Sequence, residues 1–557
     1  MENVKDKLLT LTINKMKVEK NSNELLNGLH ILLNGNYQKY NLNDVSKVSD
    51  INELADDNFQ RIMFNLNEKT NKRKDTGVYY TPVDVTRYII TNVFLMKTQK
   101  NLNKTHNTHD GIEKLKKLEN NEKENLLFNY KVFDPTCGSG EFLINALNIK
   151  LNLLKQDEIS DKNILNICKT IYGNDIDDES TDISKIRIYI YICKKLRKTE
   201  SYIKLANIIN ERFSNKDFVI DYNNINEKFD IIIGNPPYVE YSKFKRKNEI
   251  KNKFGNIYAD VLKNSFGLSN NNATIGYIIP ISYVSTPRMK EIREYIINNS
   301  CKQIVLNFAD RPDCLFSGVH QKLTILIAQK GKKNNDIYSS NYTFWYKNER
   351  NRLLNGREVM KLDNIDVENG FYKIGNKIEK DIFNKVYNSK QNFITSQISD
   401  GKPIYLNMRA TFWIKAFSFN PGSKEYKEFK YGENNYYLIL AILNSSLFWL
   451  FWTMVSDCWH ITGKEQKLFY IPDIDYSENN KMKKLCENLE NQLEKTKKYI
   501  GSKQTDYEYK HRLCKEQIDN IDDELGKIYK LTNDEVNYIK NFSLLYRMSG
   551  EKNDKNN

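Results

Sequence analysis

At 557 residues the chain is too long for one ordinary hydrophobic core, so three or four structural units are expected. Hydrophobic residues at 40% and aromatics at 12% are enough for buried cores, and no apolar run reaches bilayer length, which sets aside disordered and membrane-spanning classes. The formal net charge of +14 suits a polyanionic partner such as nucleic acid, although a Lys-, Asn- and Ile-rich composition, typical of AT-rich coding, contributes part of it.

The amino terminus, MENVKDKLLT, has no secretory pattern. The 8 cysteines show no CxxC or Cys/His spacing, which argues against a zinc site and for reduced thiols in a cytoplasmic protein. Residues 1–75 carry apolar positions at helical spacing, as in Leu25-Leu26-Leu29-Leu32-Leu33 and Phe59-Ile62-Met63-Leu66, and predict a helical unit. In Thr76-Gly77-Val78-Tyr79-Tyr80-Thr81-Pro82, Thr81 reads as an N-cap with Pro82 in the first turn, and the N–H groups of such a helix start can seat a carboxylate; the alternative is a simple capped helix. The polar stretch from Lys97 to Lys131 predicts a solvated helix and loop insertion.

Val132-Phe133-Asp134-Pro135-Thr136-Cys137-Gly138-Ser139-Gly140-Glu141 predicts strand, glycine turn and helix, with Gly138 and Gly140 letting backbone approach a ligand at the carboxyl edge of an α/β sheet. No third glycine or Walker lysine follows, which weakens both the dinucleotide and the P-loop readings. A second strand ends at Asp175, a position suited to a ribose diol; the alternative is a cap for the helix near Glu179. A third acidic strand end brings Asp217, before Phe218, as an acceptor for an adenine amine.

Phe229-Asp230-Ile231-Ile232-Ile233-Gly234-Asn235-Pro236-Pro237-Tyr238 follows. Its β-branched run predicts a strand that Gly and two prolines must end. The Asn235 carboxamide and the carbonyls of Asn235 and Pro236 can accept N–H groups of an amine, and Tyr238 offers a flat face to the ring that carries it; the alternative is a strand ending in a plain turn. Further strands are predicted at Ile275–Pro280, Gln303–Phe308 and Leu323–Ala328, with a helix beginning near Tyr258. This alternation argues for one α/β domain.

In this order the motifs resemble the gamma class of DNA amino-methyltransferases, the TaqI-like N6-adenine enzymes of restriction-modification systems. The resemblance implies S-adenosylmethionine as methyl donor, with Thr81 and Pro82 on its methionine part and Asp134, Pro135, Thr136, Cys137, Gly138 and Gly140 as the cofactor loop. It further implies Asp175 on the ribose, Ile176 against the adenine face, and Asp217 and Phe218 at the cofactor adenine. Asn235, Pro236 and Tyr238 are then catalytic, with Phe316 as a second aromatic against a flipped base. No metal is implied.

The resemblance covers about Thr76 to Lys330, and more loosely the segment from Phe412 to Pro472. In that segment the Ile442–Trp449 stripe reads as buried core more readily than as a reading surface, and beyond it Leu485, Leu489 and Leu493 lie at helical spacing in a charged tail. The organisation expected is a helical region over 1–75, a doubly wound Rossmann-like methyltransferase domain over 76–350, an α+β target-recognition domain over 351–480, and a helical region over 481–557. Arg409, Trp413, Lys415, His460 and Lys464 are the candidate DNA contacts, with core positions the alternative for the aromatics. The expected partners are double-stranded DNA, bound by a monomer, and a cognate restriction endonuclease. Competing readings are an amino-methyltransferase of protein glutamine or rRNA, and a DNA-specificity subunit without catalysis.

Overall fold

The structure is a computed structural model and describes residues 23–33, 81–99, 104–243, 249, 254–316, 318–332, 336–363, 365–387, 392–502 and 505–549. Most of the helical region expected over 1–75, including Phe59–Leu66, lies outside these residues, as does 76–80. The described residues fall into two compact units. The first runs to Tyr283 and takes in Arg288–Tyr338 and Lys347–Lys361; the second comprises Val284–Pro287, Ser339–Tyr346 and the chain from Leu362 onward.

The first unit is built on β1 (Val132–Asp134), β2 (Ile171–Asn174), β3 (Phe213–Ser214), β4 (Phe229–Gly234), β5 (Ser269–Pro280), β6 (Ser300–Phe308) and β7 (Leu323–Lys330). The sheet continues through β8 (Asp336–Thr343) to β9 (Met360–Lys361) at its edge, in the order β3-β2-β1-β4-β5-β7-β6-β8-β9. The pairs from β3 through to β5 are all parallel. β7 is antiparallel to both of its neighbours, β5 and β6. The carboxyl ends of β1 to β5 therefore share one edge, and two reversals bring the end of β6 to that same edge.

A sheet covered on both faces asks for continuous apolar strands, and Ile231, Ile232 and Ile233 on β4 are fully buried. Its helices include α1 (Asn23–Leu32), α2 (Val83–Thr98), α3 (Glu141–Asn152), α4 (Asp161–Cys168), α5 (Asp178–Cys193), α6 (Glu200–Arg212), α7 (Ile257–Leu268) and α8 (Lys290–Asn299). Long α/β crossovers between parallel strands place α3 and α4 between β1 and β2, and α7 between β4 and β5. α1 packs on α5 and α6, and the Tyr189 hydroxyl donates to Leu25 O at 3.1 Å.

Two local expectations change. Pro82, at φ −58° and ψ 145°, occupies the N-cap position itself, so α2 starts at Val83 with no side-chain cap from Thr81. Proline's fixed φ suits the extended cap residue, and its carbonyl accepts the Thr86 N–H at 3.0 Å to open the helix. The 97–131 stretch is also less solvated than its charge suggests. It forms helices over Thr108–Lys116 and Asn120–Glu124, then a π-turn over Asn125–Asn129, and these bury Leu115, Leu126 and Leu127.

The second unit has β10 (Ile398–Asn407) between β11 (Ala416–Phe417) and β12 (Tyr426–Tyr431), both antiparallel to it. Its helices include α9 (Tyr436–Asn444), α10 (Ser446–Val455), α11 (Tyr476–Thr496), α12 (Lys515–Ile528) and α13 (Asn533–Asn541). The apolar stripe is core: Leu443, Leu447, Phe448 and Trp449 are at most 1% exposed. Asp522 on α12 accepts from Ser446 N at 3.3 Å and Leu447 N at 3.1 Å, satisfying two donors at the start of α10 inside the core. Among the described residues no single helix is long and apolar enough to cross a membrane; α9 and α10 reach that length only as a pair bent by 68°.

Candidate active site

The site is built on strand ends. Asp134 closes β1 almost fully buried, and its Oδ1 accepts from Thr136 N at 3.1 Å. Burial, with the charge of Asp175 adding to it, pushes its pKa well above the usual carboxylate range. The loop to α3 then turns through Gly138 and Gly140, at φ +51° and +82°. A Cβ on Gly140 would lie 2.7 Å from Ser184 Oγ in a left-handed conformation, so glycine is required there.

The loop is held from behind by α5. Ser184 Oγ donates to Gly138 O at 2.8 Å, and Arg187 Nη1 donates to Ser139 O at 2.6 Å. Arg187 Nη2 also reaches Glu141 Oε2 at 3.1 Å. Asn145 Nδ2 donates to Glu141 Oε1 at 2.8 Å, and Asn145 Oδ1 accepts from Arg87 Nε on α2 at 2.8 Å. Cys137 is buried and donates its N–H to Asn174 O at 2.8 Å; burial raises its thiol well above its ordinary pKa.

Asp175, just past β2, accepts from Gly138 N at 2.8 Å and from Asp177 N at 3.0 Å, which ties the second strand end to the glycine loop. Its surroundings desolvate the carboxylate and push its pKa up to about 6. The cap of α5 is Asp177, whose Oδ2 accepts from Ser180 N at 3.0 Å, so Asp175 is not spent on the helix. Ile176 beside it is 63% exposed, an apolar side chain presented to solvent next to a carboxylate. After β3, Asp217 is buried and accepts from Val219 N at 3.1 Å. Phe218 packs into the core, 5.8 Å from the Phe133 ring, and presents little face to a ligand.

At the end of β4, Gly234 has φ +156°, and a Cβ on it would sit 2.7 Å from Asp134 Oδ1. The ends of β1 and β4 are thus in contact through a glycine that no larger residue replaces without a shift. Asn235 follows half-buried, with Pro236 buried. The Tyr238 hydroxyl lies within bonding distance of Asn235 Oδ1, 2.6 Å, and of Ile278 O on β5, 3.0 Å. Its ring meets Tyr258 edge-on at 6.5 Å. Beyond it Tyr241 bonds Asp260, whose carboxyl burial pushes its pKa up to about 7.

Phe316, 2% exposed, lies in a tight turn after β6 where Val319 N donates to Phe316 O at 3.0 Å. Thr81, also buried, precedes α2. Arg350 joins these two segments. Its Nε and Nη2 bond Asp84 at 2.9 and 3.1 Å, while Nη2 donates to Leu315 O at 3.0 Å and Nη1 to Cys314 O at 3.4 Å. Sequence reasoning identified neither Arg350 nor Ser184 and Arg187, because their partners are distant in the chain and carry no motif. Among the described residues no cluster of His, Cys, Asp and Glu has metal-site geometry.

In the second unit, Arg409 and His460 are exposed and form an antiparallel bridge, with Trp459 beside them 37% exposed. His460 Nδ1 lies 3.3 Å from Asp457 Oδ2. Lys464 is committed internally: its ammonium donates to Ser285 O and Val455 O at 2.6 Å each and to Asn369 O at 3.2 Å. Lys415 is largely withdrawn from water, which lowers its pKa. Trp413 donates Nε1–H to Arg547 O at 3.2 Å and lies under the Arg547 guanidinium at 4.0 Å. Of the five expected DNA contacts, Arg409 and His460 thus present exposed side chains together, whereas Trp413 and Lys464 bond partners inside the fold and Lys415 is half-buried.

Residues 169–314 match the Eco57I restriction-modification methylase family. That segment contains Asp175, Asp217, Asn235 and Tyr238; the glycine loop lies before it and Phe316 just after. A type II restriction enzyme and methyltransferase of Escherichia coli, RM.Eco57I, is 22% identical over 33% of this chain and 23% of its own. The type II methyltransferase M.BstVI of Geobacillus stearothermophilus is 23% identical over 31% of this chain and 32% of its own. These curated relatives are therefore matched over less than a third of their lengths. Among solved structures, the type IIL restriction-modification enzyme MmeI in complex with DNA aligns with 83% of this chain and 77% of its own, at 12% identity and a TM-score of 0.47.

Proposed function

We propose that this chain is a DNA methyltransferase of restriction-modification type that transfers the methyl group of S-adenosylmethionine to the N6 amine of an adenine extruded from double-stranded DNA. The observation that carries the reading is the contact between Asp134 and Gly234. It sets the glycine-loop strand directly against the strand that delivers Asn235-Pro236-Pro237-Tyr238. The family match over 169–314 supports the same class of chemistry.

The residues present fit the donor. Thr136 Oγ1 is buried with no partner among the described residues, and Ile176 offers 63% of its surface beside the Asp175 carboxylate. Asp175 would accept from a ribose diol and Asp217 from an adenine amine, with the glycine loop beneath. Bound there, the donor supplies an electrophilic methyl on a sulfonium.

The chain's own work is alignment, which can be worth several orders of magnitude in rate. Asn235 Oδ1 and the Pro236 carbonyl each accept one N–H of the adenine amine, which turns the nitrogen lone pair outward. The Tyr238 ring supports the base once it has left the stack, offsetting the few kcal/mol that extrusion costs. Arg409, Trp459 and His460 are the residues of the 351–480 region through which duplex contact is proposed. A cytoplasmic monomer working beside a cognate endonuclease completes the reading.

The test is expression of the wild-type chain and of Asn235→Ala in a methylation-deficient host, followed by sequencing for modified adenine. Wild type should mark one sequence context. Asn235→Ala should mark none while still binding S-adenosylhomocysteine in calorimetry. DNA binding by the wild type without any modified base would favour the non-catalytic specificity subunit instead.

A further inference from the structure

α2 carries two charged residues one turn apart, Asp84 and Arg87, and each is used in a different direction. Residues at this spacing share a helix face. Asp84 holds Arg350 bidentately, and Arg350 holds the carbonyls of Cys314 and Leu315. Arg87 holds Asn145, which holds Glu141, which holds Arg187, which holds the Ser139 carbonyl inside the glycine loop. Two chains of polar contacts thus leave α2, one from Asp84 to the turn beyond β6 and one from Arg87 to the glycine loop beyond β1, and the helix itself joins them. Both ends lie at the carboxyl edge that carries Asn235.

The pieces suit positioning better than bulk stability. Asp84 is 44% exposed and Arg350 25%. A half-exposed ion pair of this kind adds about 0–1 kcal/mol to a fold. Yet the pair spans 266 residues of sequence, and Arg350 bonds both Asp84 carboxylate oxygens and two backbone carbonyls. A lysine, with a single ammonium and no fork, could not make that set.

We propose that Arg350 is a positioning residue which, through Asp84 and Arg87, couples occupancy of the glycine loop to the placement of the Cys314–Phe316 turn, so that the two sides of the crevice order together. This rests on the reading of the crevice as a site for both methyl donor and duplex. It adds that the two ligands should strengthen each other's binding through α2.

The experiment measures the affinity of the full chain for a duplex bearing its mapped site, with and without saturating S-adenosylhomocysteine. The proteins are wild type, Arg350→Ala, Arg350→Lys and Asp84→Asn. In the wild type the cofactor product should tighten DNA by about fivefold or more, the ordinary scale of such coupling. In all three variants the factor should fall below about twofold, while each ligand alone stays within about threefold of wild type. Coupling that persists in Arg350→Ala and Arg350→Lys overturns the proposal, as does parallel loss of both individual affinities with a lowered thermal midpoint, which would mark a merely structural role. A wild type that binds both ligands without coupling overturns it too and leaves the methyltransferase reading standing. A wild type that binds neither ligand would instead defeat that reading.

Discussion

Tyr238→Phe separates the ring face that the sequence offers to the base from the hydrogen bonds that the structure gives the hydroxyl. The hydroxyl lies 2.6 Å from Asn235 Oδ1 and 3.0 Å from Ile278 O, so a single proton is shared between the carboxamide and β5. It restrains the group that is to accept the substrate amine. Phenylalanine keeps the ring and its edge contact with Tyr258 but removes the restraint. A neutral hydrogen bond of this kind is worth roughly 0.5–1.5 kcal/mol, so single-turnover methyl transfer should slow by about 2- to 12-fold. Tyr238→Ala also loses base stacking, roughly 1–3 kcal/mol, and should slow by at least about tenfold and up to about two thousandfold. Labelled donor with excess site-bearing duplex gives the rates, and 2-aminopurine at the target position reports extrusion, which the Phe variant should retain and the Ala variant lose. A Tyr238→Phe enzyme as fast as wild type, or faster, would show that the hydroxyl competes for the carboxamide rather than orienting it.

Asp175 should make donor binding pH-dependent. Its pKa of about 6 lies above that of an unfolded aspartate, so its contribution to stability is fully present below the unfolded value and is lost as pH rises through about 6. A diol bonded to the carboxylate favours the ionised form. Calorimetric affinity should therefore weaken by up to about tenfold per unit as pH falls below about 6, and a wild-type profile as flat as that of Asp175→Asn would contradict the assignment. Gly234→Ala, with its Cβ forced to 2.7 Å from Asp134 Oδ1, should cost roughly 1–3 kcal/mol in thermal stability and weaken donor binding with it; an unaffected variant would disprove the close approach. Lys464→Met should destabilise the protein by roughly 1.5–3 kcal/mol and leave the salt dependence of DNA binding unchanged. Arg409→Ala should do the reverse, with stability within about 0.5 kcal/mol and a salt slope shallower by about one if it touches phosphate; equal slopes in the two variants would remove Arg409 from the interface.

The strands and glycine turns were legible because each is written in neighbouring residues. Three β-branched isoleucines halted by Gly234 and two prolines give a strand and its end, and Gly138 and Gly140 give a turn that only small residues can make. The reversal of β7 was not legible, since an apolar run reads the same in either direction. Lysines were misleading for a related reason. Lys464 looks solvated in a polar stretch, yet it fills the gap between three carbonyls that only the fold assembles. Trp449 was legible as core from the apolar stripe that contains it, but only packing shows Trp459, ten residues on, exposed beside Arg409. Arg350 had no signal at all, because Leu315 lies 35 residues away and Asp84 266.

The buried cap at the start of α10 has a consequence for biosynthesis. α9 and α10 are among the most apolar segments of the chain, and the carboxylate that satisfies Ser446 N and Leu447 N arrives on Asp522, 76 and 75 residues later. Ser445 caps Phe448 N locally, but at about 5–20 residues per second translation leaves the Ser446 and Leu447 donors without their acceptor for several seconds. Contacts from α11, α12 and α13 to this pair are likewise contributed by later sequence. The second unit therefore cannot close in the order in which it is synthesised, and its apolar elbow depends on chain that has yet to emerge. Nascent chains stalled before Asp522 are the species a chaperone would meet, and fragments cut there would carry the same uncovered surface into any experiment.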